Sequence, residues 1–195
     1  MWRGERHVLR GLDLALHNGE ALQVCGANGS GKTSLLRTLC GLVHPEEGRV
    51  LWNGADVRRD LLGFHASLAY IGHDSPLKGD LSARENLRYW AGIRRRFSGE
   101  ELDSALAQVG SVEWRDRTVR TLSAGQRRRV ALAGLRLLGA PLWILDEPTS
   151  NLDVDGQQMV ATMIREHLQQ GGLVVAAVHH ELVLGTAHVR RLDLA

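Results

Sequence analysis

The chain has 195 residues, 44% apolar and 24% charged, an ordinary globular composition that can bury most of its surface without disulfides or a structural metal. Its 22 Arg and 2 Lys nearly balance 22 acids, for a formal charge of +2, which argues against a nucleic-acid-binding surface. The charges among the first ten residues (Arg3, Glu5, Arg6, Arg10) exclude a secretory signal, and no apolar run approaches the ~20 residues of a bilayer span.

One domain, or one domain with an insertion, is expected, without repeats or low-complexity linkers. Cys25 and Cys40 read as reduced core residues in a reducing compartment. Residues 22–25 (Leu-Gln-Val-Cys) form a short apolar run that ends in a glycine-rich turn and passes into residues 33–40, spaced as a helix. Residues 49–52, closed by Asn53 and Gly54, read as a strand and hairpin turn, and 68–71 as another strand. From residue 82 to about 138 the pattern is helical. Ser82 and Glu85 form a capping pair there, and Ser98-Gly99-Glu100-Glu101 starts a second helix. The triplets Arg94-Arg95-Arg96 and Arg127-Arg128-Arg129 fall in this helical part, the first read as a solvated helix face.

Strand and helix alternation resumes at 142–145. A helix with Val160, Ile164 and Leu168 on one face follows, then a strand at 173–178 and a last strand near 189–194. Short continuous apolar runs suit strands buried on both faces. They predict an α/β fold with a mostly parallel sheet core, a short antiparallel part and an α-helical insert. The expected division is a core of about 1–81 and 139–195 and a helical subdomain of about 82–138.

Residues 26–33 read Gly-Ala-Asn-Gly-Ser-Gly-Lys-Thr, a filled phosphate-binding loop pattern between a predicted strand and a predicted helix. Glycines let the backbone close around a phosphate with its amides inward, and the helix N-terminus favours an anion. The nucleotide set is therefore Gly26, Ala27, Asn28, Gly29, Ser30, Gly31, Lys32, Thr33 and Ser34. Lys32 is expected to reach the β- and γ-phosphates of ATP, and the Thr33 hydroxyl to go to Mg²⁺. Asp146 and Glu147 close the strand at 142–145, where ligands of such sheets bind. Asp146 is read as the second Mg²⁺ partner and Glu147 as the general base for the attacking water. Leu122-Ser123-Ala124-Gly125-Gln126 opens a helix with small residues and free amides, a second anion site.

In this order, the phosphate loop, the pentapeptide and Leu145-Asp146-Glu147-Pro148 resemble the ATP-binding cassette family over essentially the whole chain. The resemblance implies an ATPase subunit of a membrane transporter that works as a head-to-tail homodimer. Ser123, Gly125 and Gln126 of one copy would then meet ATP held by the other, with Ala124 standing where glycine is usual. Ser150-Asn151-Leu152-Asp153 resembles the family's D-loop, which adds Asp153 to the nucleotide set. His179 resembles the switch histidine, with His180 as the adjacent alternative. Where the family carries a lid glutamine, this chain has His73 followed by Asp74.

Residues 50–54 and 70–73, Lys78, Leu81 and residues 85–90 are similar to the haem-export branch of the family, which serves cytochrome c biogenesis. That branch implies CcmB-like and CcmC-like integral membrane partners and a peripheral position on the cytoplasmic face of the bacterial inner membrane. Handling of haem falls to those partners, since the chain has no Cys-x-x-Cys-His and no evident haem site. Trp2 is the aromatic candidate for stacking on adenine. Two other classes fit less well: a soluble cassette acting on nucleic acid would need a second cassette or a long coiled-coil insertion, and a non-hydrolysing assembly module would lack Glu147 or the pentapeptide.

Overall fold

In the computed structural model, which describes residues 9–74, 76–185 and 187–194 and the backbone of 2–3 and 6–7, the short apolar runs become neighbouring strands. Trp2–Arg3 (β1) and Arg6–His7 (β2) pair antiparallel; the Trp2 side chain lies outside the described residues. Glu20–Gly26 (β3) leads through a tight loop into Lys32–Leu39 (α1). Leu51–Trp52 (β4) and Ala55–Asp56 (β5) form the expected hairpin. Its two turn residues, Asn53 and Gly54, both have positive φ, 50° and 79°, the backbone a two-residue turn needs to match strand twist. Leu61–Ala66 (α2), not among the expected elements although Asp60 caps its start, precedes Leu68–Ile71 (β6).

Three helices follow, Ala83–Gly92 (α3), Gly99–Gln108 (α4) and Ala124–Leu138 (α5), each opened by a complete capping box: Ser82 with Glu85, Ser98 with Glu101, Ser123 with Gln126. Leu142–Asp146 (β7), Val154–Gln169 (α6), Leu173–Ala177 (β8) and His188–Leu194 (β9) complete the chain. The five long strands form one parallel sheet in the order β6-β7-β8-β3-β9.

Because successive strand side chains point to opposite faces, the sheet divides two apolar layers. Leu22 and Val24, Leu142 and Ile144, and Leu173 and Val175 pack with Leu35 and Leu36 of α1 and Phe64 of α2. Ala21 and Cys25, Trp143 and Leu145, and Val174 and Ala176 face the other way, onto Leu132 and Leu135 of α5 and Val160 and Ile164 of α6. Both cysteines are free and buried, and burial pushes the Cys40 thiol up to about 12, so they behave as core residues.

The second layer continues into the insert, where α3 and α4 pack on α5. At Gly134 of α5 an added Cβ would lie 1.9 Å from Cζ3 of Trp90, so only glycine lets α3 approach this closely. One expectation is overturned here: Arg94-Arg95-Arg96 lies beyond the end of α3 rather than on a helix face. Arg94 donates to the carbonyl of Leu68 at 2.8 Å, and Arg95 pairs with Glu101 at 2.8 Å and donates to the carbonyl of Leu137. The pair ties the insert to carbonyls at the ends of α5 and β6, while Arg94 and Arg96 stay exposed and Arg95 is half-exposed, so the solvated part of the expectation holds. Among the described residues no helix is long and apolar enough to cross a membrane.

Candidate active site

The C-terminal ends of three adjacent strands, β7, β8 and β3, carry the predicted chemistry, the edge where open parallel sheets receive ligands. After β3 the chain turns through Gly26, Gly29 and Gly31 at φ of 147°, 84° and 105°, the left-handed region that only glycine enters freely. A Cβ on Gly26 would sit 2.5 Å from the carbonyl of Leu194 and 2.6 Å from Oγ of Ser30, so the cradle has no room for a side chain. Gly31 caps α1 without a side-chain bond, which leaves the first amides of α1 to an anion. Lys32, 5% exposed, lies back along the loop, its Nζ donating to the carbonyls of Gly26 at 2.7 Å and Ala27 at 3.1 Å. The buried Ser30 hydroxyl has no hydrogen-bond partner among the described residues, a polar group of the kind an added ligand satisfies.

Thr33 joins this loop to the neighbouring strand end, its Oγ1 donating to Oδ2 of Asp146 at 2.9 Å. The two residues read as metal partners, 113 positions apart in the chain, are therefore in contact. Next to them, Glu147 has φ of 51°, a left-handed backbone that costs a non-glycine residue about 1–3 kcal/mol and marks functional positions. Its amide donates to the carbonyl of Ala177 at 3.0 Å, and its own carbonyl accepts from the Ser150 amide at 3.0 Å. The side chain pairs with His179, Nε2 to Oε1 at 2.7 Å. Of the two adjacent histidines, His179 is thus the one placed at the carboxylate.

The segment after His179 is fixed from inside the sheet. Gln23 on β3, 1% exposed, donates to the carbonyl of Leu182 at 2.9 Å and accepts from its amide at 2.8 Å. Sequence reading passed over this residue, although a lone amide inside Leu22-Gln23-Val24 must find partners once buried.

The pentapeptide stands apart from the phosphate loop. Ser123 and Gln126 satisfy each other in the capping box, and among the described residues no hydrogen bond links either of them to residues 26–34. Gly125 packs on the following loop, where an added Cβ would lie 2.6 Å from the carbonyl of Asn151. Asp153 caps α6, accepting from the Gly156 amide at 2.9 Å, and pairs with Arg129 at 3.0 Å. Those contacts, the amide bond foremost, hold its carboxyl below the usual carboxylate range. His73, largely exposed and 3.5 Å from Asp74, borders a cleft of about 80 Å³ with Ala124, Arg127, Arg128, Asp146, Glu147 and Asn151.

Arg128 is the second polar residue that reading the sequence missed. It is 6% exposed and donates to four carbonyls, those of Gly72 (2.9 Å), Glu147 (2.7 Å), Pro148 (3.3 Å) and Asp146. A signal existed: Arg128, Leu132 and Leu135 fall at helical spacing on one buried face of α5.

Residues 9–150 match the family model for the ABC transporter. The chain belongs to the ABC transporter family. It is similar, at 46% identity over 181 residues covering 92% of this chain and 87% of the relative, to the cytochrome c biogenesis ATP-binding export protein CcmA of Methylococcus capsulatus. Among solved structures, cbiO1 of Clostridium perfringens, part of the ABC transporter complex cbiONQ, superposes with a TM-score of 0.74 at 26% identity, over 89% of this chain and 72% of that one. A dimeric ATP-binding cassette solved in a post-hydrolysis state with ADP and phosphate gives a TM-score of 0.86 over 100% of this chain and 90% of that one, at 24% identity, a likeness of fold. This ABC chain is an ATP-binding transporter subunit of the P-loop ATPase fold.

Proposed function

We propose that the chain hydrolyses ATP for haem export, or for release of a haem chaperone, in cytochrome c maturation. It would act as a homodimer on the cytoplasmic face of a bacterial inner membrane, with CcmB-like and CcmC-like integral partners. The family relationship supports the ATPase activity, and the likeness to the Methylococcus protein named for cytochrome c biogenesis supports the pathway. The single observation that carries the mechanism is the meeting of Thr33 with Asp146 and of Glu147 with His179 on one sheet edge.

In this reading the amides of residues 27–33 and Lys32 hold the phosphates, and the glycines bring backbone close enough to do so. The Thr33 hydroxyl and the Asp146 carboxylate are a hard-oxygen pair suited to Mg²⁺, which would offset phosphate charge there. Among the described residues no group of three or more His, Cys, Asp or Glu side chains could hold an ion by themselves, which fits a cation shared with nucleotide and water. Glu147, held by its backbone at a fixed place, takes the proton from the attacking water, and His179 orients that carboxylate and faces the γ-phosphate. Ser123, Gly125 and Gln126, which among the described residues make no hydrogen bond to their own phosphate loop, serve the nucleotide of a second copy, Asp153 and His73 belong to the nucleotide set, and an integral membrane partner docks near His73 and the helical insert. The core of about 1–81 and 139–195 carries the first half of each site, and the helical subdomain of about 82–138 carries the second.

The test is complementation. A Lys32→Ala chain and a Ser123→Arg chain are each expected to hydrolyse ATP at a small fraction of the native rate. Mixed, they form one intact composite site per heterodimer, and part of the activity returns. A mixture no more active than its components, or a native monomer that turns over at full rate, rules the shared site out.

A further inference from the structure

We propose that Arg128 is a positioning residue for hydrolysis: it locks the backbone of Glu147 and the Gly72 carbonyl beside His73 onto the first turns of α5. The inference rests on the reading of Glu147 as the base and goes beyond it, since neither the motifs nor that reading assigns Arg128 a task.

The argument begins from cost. A guanidinium buried without a carboxylate is expensive, because its hydration is lost and only dipoles replace it. Arg128 has no ion pair among the described residues, and four of its five donors go to four carbonyls. Burial lowers its pKa, while the charges of Asp146 and Glu147 oppose that shift. An apolar side chain, like its face-mates Leu132 and Leu135, would pack there at lower cost.

What the charge secures is visible in the carbonyls it selects. Three of them, of Asp146, Glu147 and Pro148, are consecutive and span the left-handed turn at Glu147. The fourth belongs to Gly72, on the loop that carries His73. Arg128 itself sits five residues after Ser123 in the helix that begins with the pentapeptide. One side chain therefore sets the distance between the carboxylate used on a chain's own nucleotide and the amides offered to its partner's. Without it, the Glu147 carbonyl keeps only the Ser150 amide among the described residues, and the carboxylate is free to drift from His179.

The experiment measures MgATP hydrolysis by full-length Arg128→Ala and Arg128→Lys chains beside equilibrium binding of a fluorescent ATP analogue. Affinity is expected to stay within about threefold of native while kcat falls about a hundredfold for Ala and about tenfold for Lys. Free guanidinium should raise the kcat of the Ala variant severalfold and leave the native enzyme unchanged. Native kcat in either variant overturns the proposal, as does a loss of kcat matched by an equal loss of nucleotide affinity, which would make Arg128 merely structural. Should Arg128→Ala not fold, the Lys variant decides by the same split between kcat and affinity. In a Glu147→Gln background, Arg128→Lys should cost nothing further, and an undiminished extra loss overturns the proposal. If Glu147→Gln alone hydrolyses ATP at the native rate, the reading of Glu147 as base fails, and that outcome is separate from any result on Arg128.

Discussion

The two halves of the candidate site are built in opposite ways. At the sheet edge, polar side chains are buried and bonded across the chain: Asp146 to Thr33, Gln23 to Leu182, Arg128 to four carbonyls. At the start of α5, Ser123 and Gln126 are satisfied within one helical turn and face outward. The first half spends long-range contacts to hold its groups in place, the preorganisation that binding and hydrolysis need. The second is a finished local motif whose small residues keep a surface open, suited to meeting a separate body. Binding should therefore depend on the first half, and turnover on both.

Four substitutions and one pH scan test that division, from the largest effect to the smallest. Glu147→Gln should lower kcat by about a thousandfold while ATP affinity is kept; equal losses in both would merge the roles. Lys32→Ala should weaken ATP binding by about a hundredfold, seen by calorimetry, and unchanged affinity would remove Lys32 from the phosphate site. Gly134→Val forces methyl groups into Trp90 and should cost about 1–3 kcal/mol by overpacking, read as a midpoint lowered by roughly 2–4 °C per kcal/mol. Its ATP affinity should hold, because the strain lies in the insert. Ser98→Ala removes the cap of α4 at about 1 kcal/mol, again without touching affinity.

The smallest effect concerns His167, stacked on Trp143 with ring centroids 3.8 Å apart. Burial lowers its pKa below the ordinary 6.5, against the pull of hydrogen bonds led by that to the Pro141 carbonyl. Below pH 6.5 the unfolded chain binds a proton that the folded chain refuses, so this stability is complete above 6.5 and is lost as pH falls toward the depressed folded value. Denaturant titrations of His167→Gln should show a shallower decline than native below pH 6.5 and no difference in slope above it.

Most of the core and much of the site can be read from the sequence, because those features are local. Apolar runs mark β3, β7 and β8, serine with Glu or Gln three residues on marks the helix starts, and the glycine spacing before Lys32 marks the phosphate loop. What escapes reading is set by distance. Nothing near Gln23 says that Leu182 lies opposite, and the run Arg127-Arg128-Arg129 does not say that the middle one points inward while Arg127 donates to the Leu122 carbonyl and Arg129 pairs with Asp153. Likewise the choice between His179 and His180 turns on which ring faces Glu147 once β7 and β8 are neighbours. Burial makes such contacts valuable, and burial is a property of the folded whole.

The missing Cβ at Gly134 has a mechanical consequence. With Trp90 seated directly on the α5 backbone, the seam between α3 and α5 has no slack to absorb a push, since close-packed interiors transmit displacement rather than damp it. Tyr89 on α3 and Ile93 just after it are exposed. A displacement of α3 should therefore carry α5 with it, so that under the proposed function the insert would behave as one stiff body that includes the helix opened by Ser123.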